Sequence, residues 1–356
     1  MMYNFHKKEA PLLGLQGSGG GLGFLAPKGA RQVYLAVPHG TSPFISIYPW
    51  DSGFGTKYAN PSTLPAGTGN SAEFSPSGAD IAVAHNTTPY VSVYPWSSLG
   101  FGTKYADPST TPTGAGYDLA FSPSGADIAV AHGTSPYISV YPWSSGFGTK
   151  YSNPSTLPTG LGLGVAFSPD GADIAVAHGG SPYLSVYPWS GSGFGTKYSN
   201  PSTLPAGTGQ KVTFSPDGTD IAVAHNTTPH VSVYPWSSGF GTKYANPSTL
   251  PPYASQSVAF SPDGADIAVT HVGSPLISVY PWSSGFGTRY ANPSTAVTGS
   301  QGKAAVFSPD SADIAIGSNG SPYIHVYPWS SGFGTKYSNP STLPAGYGNS
   351  IAFGRA

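Results

Sequence analysis

Six histidines recur at one place in a repeated pattern: His39, His85, His132, His178, His225 and His271, with Ser318 in the seventh copy. Imidazole is the commonest metal ligand, so six of them invite a metal reading. Each, however, closes a short strand in its own repeat, one strand out from any common axis, which sets neighbours too far apart to share an ion. The pattern favours a structural role, with each ring bonded to a nearby turn. Asp80, Asp127, Asp173, Asp220, Asp266 and Asp313 open the same strand, with Tyr34 in the first copy. They read as turn carboxylates that accept backbone N–H groups. Asp170, Asp217, Asp263 and Asp310 sit in Pro-containing turns that carry Ser77 and Ser124 elsewhere. That interchange suits a turn better than a catalyst. Calcium needs several oxygens per ion, and no loop offers them, so neither a metal nor a cofactor is expected.

A Ser, His and Asp triad can be drawn on paper, but enzymes build one asymmetric site with perturbed pKa values. Seven near-identical copies offer no such place, so no catalytic residue is expected and the chain reads as a non-enzyme. The most suggestive feature is a ring of cations beside aromatic residues. Lys57, Lys104, Lys150, Lys197, Lys243, Arg289 and Lys336 each follow a tryptophan: Trp50, Trp96, Trp143, Trp189, Trp236, Trp282 and Trp329. One reading is seven equal sites for sugars or anionic groups, with indole as the stacking surface. The competing reading, which the pattern favours, makes Trp wedge-filling core and Lys a solubilising charge at a sheet edge.

The elements that position these residues follow from the period. All seven tryptophans lie in Tyr-Pro-Trp, spaced alternately by 46 and 47 residues, the length of a four-stranded propeller blade. In one unit, "GVAF" ends in Ser168-Pro169-Asp170-Gly171, a Pro and Gly turn. "DIAVAH" alternates Ile174 and Val176 with Ala175 and Ala177, "YLSVY" alternates again, and "FGTKY" reads as a fourth strand stopped by Asn200-Pro201. No helical period is present, so the chain is all-β. Small alanines let blades approach near an axis, and large aromatics fill the widening wedge outside. The arrangement is a seven-bladed β-propeller of four-stranded antiparallel blades. The last stretch, "NSIAF", keeps the phase of an inner strand, so Ser350–Phe353 is expected to supply the inner strand of the first blade.

The residues "VAFSPDGADIAVAH…YLSVY" resemble the WD-repeat propeller family, over about Pro27 to Phe353. Tyr141 and Pro142 stand where that family has its tryptophan and aspartate, and no Gly-His dipeptide precedes the first strand. The repeat style "FSPDG…IAVAH…NPSTLPAG" looks like propellers encoded by tailed bacteriophages and some bacteria. The opening "KKEAPLLGLQGSGGG" resembles the N-terminal segments of phage minor structural proteins.

These resemblances imply a non-enzymatic virion protein on the particle surface. Residues 1–22 would be a docking arm, with Phe5, Leu12, Leu13 and Leu15 as apolar anchors and Lys7 and Lys8 as charge. Residues 23–356 would be the propeller, and capsid, neck or tail proteins the partners. The alternative is a multivalent lectin or adhesin, extracellular or on the cell surface, with host glycans as ligands.

The whole chain sets outer limits. Its 356 residues carry a formal net charge of −1, and only 8% are charged. No basic block exists to displace counterions, so nucleic acid is not an expected partner. The 23 Tyr, 17 Phe and 7 Trp supply enough aromatic surface to argue against disorder despite 48 Gly and 37 Pro. Cysteine is absent, which removes disulfide and thiolate chemistry. No run is apolar enough for a signal peptide or a membrane span, so neither Sec-type secretion nor membrane insertion is expected.

Overall fold

The protein was analysed as a computed structural model, which describes residues 32–355. The expected arm, with Phe5, Lys7, Lys8, Leu12, Leu13 and Leu15, lies outside the described residues. Within them there is no helix, and seven antiparallel sheets follow one another along the chain. The fold is a seven-bladed β-propeller.

Each blade repeats one register. In the second blade Gly69–Phe74 is innermost, Asp80–His85 lies next to it, and Val91–Ser97 follows. The alternation read from "DIAVAH" is not an in–out alternation, because all six of its residues are buried. A strand packed between two neighbouring blades has no face left for solvent. Seven apolar clusters fill the seams, each shared by adjacent blades. Ala82 and Ala84 of one blade, for example, pack with Leu119, Phe121 and Trp143 of the next.

The fourth strand is rudimentary. Only Gly100–Phe101 and Gly193–Phe194 form short outer strands, and elsewhere Trp and Phe make a single bridge, as Trp143 does with Phe147. The third strand carries a proline, Pro142 in this case, which has no N–H to donate outward. Beyond it "TKY" is held by isolated bonds, such as Tyr151 N–H to Val140 O at 2.9 Å.

The ring closes through the chain's end. Ala352–Arg355 pairs antiparallel with Val33–Pro38, Val33 facing Arg355 and Ala36 facing Ala352. That sheet therefore takes its innermost strand from the C-terminus and its next two from the start of the propeller.

Candidate functional site

The repeat motifs turn out to be structural devices. The six His side chains are fully buried, and each Nε2 lies about 3.0–3.2 Å from a Ser Oγ on the next strand, as in His178 with Ser185. Burial pushes these imidazoles down, to about 4 for His85, His132 and His178, so they are neutral near pH 7. The seventh blade keeps the pair with its members exchanged. Ser318 stands at the histidine position, and His325 reaches its Oγ from the serine position at 3.4 Å. Among the described residues no group of His, Asp or Glu is arranged to hold a metal ion.

The aspartates that open the second strands do not cap turns, contrary to the sequence reading. They latch blades together. Asp127 Oδ2 accepts the indole N–H of Trp189 in the following blade at 3.2 Å, and its Oδ1 accepts the Tyr151 hydroxyl at 2.9 Å. The backbone N–H of Asp127 is met instead by Ser122 Oγ.

The expected ligand-binding ring is placed accordingly. Trp50, Trp96, Trp143, Trp189, Trp236, Trp282 and Trp329 are 4–7% exposed, each in a seam. None offers a face to a sugar. Lys57, Lys150, Lys197, Lys243 and Lys336 are half-buried, and each donates to an Asn three residues later and to the carbonyl of the next residue. Lys104 pairs with Asp107, and Arg289 donates to Ser278 Oγ. These cations pin their own loops.

The blades differ where the sequence reading assumed equality, on the innermost strands. These read "GNSAEF", "GYDLAF", "GLGVAF", "GQKVTF", "SQSVAF" and "GKAAVF", and "GNSIAF" at the C-terminus. They surround the axis, and each of the first six carries a register shift after its first residue, as between Gly69 and Ser71. The extra residue re-aims the strand, so two consecutive side chains reach the lumen. Three rings result. Asn70, Tyr117, Leu163, Gln210, Gln256, Lys303 and Asn349 form the mouth. Ser71, Asp118, Lys211, Ser257, Ala304 and Ser350 come next, with Gly164 at the equivalent register position of its strand. Glu73 lies further along the axis, in a ring with Ala120, Ala166, Thr213, Ala259, Val306 and Ala352 that lines a cavity of about 340 Å³.

This channel holds an asymmetric charge constellation. Lys211 Nζ donates to Asp118 Oδ2 at 2.6 Å, spanning two blades. The same oxygen accepts Val165 N–H at 2.9 Å, and Oδ1 accepts the Ser71 hydroxyl at 2.8 Å. Gly164, between them, lets the strands meet: a Cβ there would lie 2.8 Å from Lys211 Cα. Asp118 is buried, while the Lys211 side chain remains 30% exposed, towards the lumen. Glu73, half-buried, lines that lumen. Burial there pushes its carboxyl up to about 8; the Lys211 ammonium opposes the rise and the Asp118 carboxylate adds to it. A carboxyl that titrates near neutrality beside a held ammonium can shuttle a proton while the cation faces developing negative charge.

Sequence reasoning missed Glu73, Asp118, Lys211 and Lys303, although a signal existed. Within residues 32–355 the basic residues outside the seven-membered ring are Lys211, Lys303 and Arg355. In so uncharged a chain, charges off the repeat mark the positions where the blades are not equivalent.

No protein-family model matches the chain, and no curated protein is significantly similar to it. Solved structures do share the fold. The periplasmic gluconolactonase of Pseudomonas aeruginosa superposes with a TM-score of 0.70 at 15% identity, over 90% of this chain and 99% of that one. Proteins assigned as 6-phosphogluconolactonases from Bacteroides uniformis and Bacteroides fragilis give TM-scores of 0.71 and 0.71, at 15% and 12% identity. They cover 91% of this chain and 100% and 98% of their own. These three neighbours correct the expectation of a non-enzymatic virion protein or a multivalent lectin, because they bear the names of lactone hydrolases and none is a phage protein. The channel also corrects the premise beneath that expectation, since seven near-identical repeats here enclose an asymmetric charge constellation.

Proposed function

We propose that the chain is a hydrolase whose active site is the axial channel and whose substrate is a small hydroxylated lactone of sugar size. The observation that carries this reading is Glu73, a carboxyl raised to about 8 and set in one cavity with the Asp118–Lys211 pair. The names of the similar propellers support the substrate class.

Each residue then has a task. Ionised Glu73 accepts a proton from water as the water oxygen adds to the lactone carbonyl. The Lys211 ammonium faces the oxyanion that forms, and Asp118, itself held by Ser71 and Val165, keeps Lys211 in place. When the intermediate collapses, the ring C–O bond breaks and Glu73 returns its proton to the leaving alkoxide. The product is the open hydroxy acid. One group serves as base and then acid, which suits a pKa near the working pH.

The test is hydrolysis of a panel of sugar δ-lactones by the full chain, followed with a pH indicator. The ratio kcat/KM should rise with pH through about 8. Glu73→Gln and Lys211→Met should each lower it roughly 100-fold or more. A folded chain that turns over no member of the panel overturns the reading.

A further inference from the structure

We propose that the channel mouth is an anion-recognition subsite, in which Lys303, with the side-chain amides of Gln210 and Gln256, takes an acidic group on the substrate. The subsite deepens the lactone-hydrolase reading and rests on it for the identity of the reacting end.

The mouth ring is neutral at six of its seven positions and cationic at Lys303. Among the described residues Lys303 has no carboxylate partner and no hydrogen-bond acceptor, whereas Lys211 below it is neutralised by Asp118 at 2.6 Å. A half-buried ammonium without a counter-ion opposes folding, and its surroundings hold its pKa below the usual lysine value. An anionic ligand would supply the missing charge.

The neighbouring amides differ in availability. Asn70 and Asn349 spend their N–H groups on the backbone carbonyls of Gly116 and Gly69. Gln210 and Gln256 make no side-chain hydrogen bond among the described residues, so their N–H groups are free to donate to an oxyanion. Three donors around one mouth suit a phosphate monoester or a carboxylate.

Position fixes the scale of the ligand. Lys303 stands three residues along its strand from Val306, the member of the third ring that corresponds to Glu73. At about 3.3 Å per strand residue that separates the mouth and the third ring by roughly 10 Å. An acidic group held at the mouth therefore lies within roughly 10 Å of the reacting ester, a span that suits the far end of a six-carbon lactone.

Two measurements on the full chain test the subsite. In calorimetry, inorganic phosphate should bind wild type, and Lys303→Met should weaken it about tenfold or more. In kinetics, Lys303→Met should raise KM about tenfold more for a sugar δ-lactone bearing a phosphate monoester than for the neutral lactone, and equal changes for the two would overturn the subsite. A carboxylate-bearing lactone in parallel distinguishes the two acid types. Lys303→Gln, with a melting curve for each variant, guards against misfolding.

Wild-type phosphate affinity in Lys303→Met, or no phosphate binding by wild type, overturns the subsite. Lys303-dependent phosphate binding without hydrolysis of any lactone would instead sink the hydrolase reading and leave the anion site standing.

Discussion

The indole N–H of Trp143 donates to Asp80 Oδ2 of the preceding blade at 3.1 Å, and Tyr105 donates to the other oxygen of the same carboxylate at 2.9 Å. The indole bond recurs at five more seams, including the one where Asp313 meets Trp50 and closes the ring. It fails at the seam between the first and second blades. There Tyr34 replaces the aspartate and packs edge-on against Trp96 at 5.3 Å. Trp96 Nε1 and the Tyr34 hydroxyl are both left buried without a partner.

Removing the Asp127 carboxylate strands one buried donor, the Trp189 indole, because the part-buried Tyr151 hydroxyl also reaches Gly191 O at 3.2 Å. Asp127→Ala should therefore destabilise the propeller by about 1–3 kcal/mol, the cost of leaving a buried donor unmet. Trp96→Phe should cost less than Trp143→Phe, since the Trp96 N–H bonds to nothing. Urea unfolding of the four proteins checks both statements. Equal losses for the two Trp→Phe variants would show that the latch adds little.

Acid should unfold the protein cooperatively. His39, His85, His132, His178, His225 and His325 titrate at about 4 in the fold, against 6.5 when exposed. Between those values the unfolded chain holds protons that the folded one refuses, so stability present above pH 6.5 is lost as pH falls towards 4. Each such histidine contributes a slope of up to about 1.4 kcal/mol per pH unit. Urea midpoints between pH 7 and 5 should fall steeply, and less steeply in His178→Gln.

Glu73 should trade stability for activity. Its folded pKa of about 8 lies above the 4.5 of an exposed glutamate. The unfolded chain therefore releases the proton first, and stability is lost as pH rises from about 4.5 to 8. Glu73→Gln removes that penalty, so it should stabilise the protein at pH 7 by roughly 1–3 kcal/mol while lowering hydrolysis roughly 100-fold or more. A thermal melt at pH 5 and pH 8 reads the sign, the gain being larger at pH 8.

Closure by the C-terminal strand should be essential. Asn349 N–H bonds Pro38 O at 3.0 Å, and Ala352–Arg355 completes the first sheet. Deleting residues 349–356 exposes the edge of Val33–Pro38 and opens the seam that packs Ile351 with Leu35 and Val37. The unfolding midpoint should drop sharply, and an unchanged midpoint would mean the ring does not depend on this strand.

Gly164→Ala should damage the site through packing alone. A Cβ there meets Lys211 Cα at 2.8 Å, a backbone atom that cannot swing aside. The two inner strands must separate, which lengthens the Lys211–Asp118 pair. Lactone turnover should fall while the tryptophan fluorescence of the seams stays native.

The sequence alone determined the architecture: seven Tyr-Pro-Trp units at a fixed period, strands of period two, and a C-terminal segment in phase with an inner strand. Those features are local, and a repeat forces each copy to make the same contacts with its neighbours, so period and patterning suffice. Tertiary structure decided which residues meet. Asp80 finds Trp143 63 positions away, and Asp118 finds Lys211 93 positions away, across an intervening blade. No local pattern encodes those distances. The repeat also misdirected the eye, because the conspicuous ring of Lys and Trp is the part that symmetry spends on holding blades and loops. The candidate site lies where symmetry breaks, on inner strands whose side chains converge on one axis only when the ring has closed.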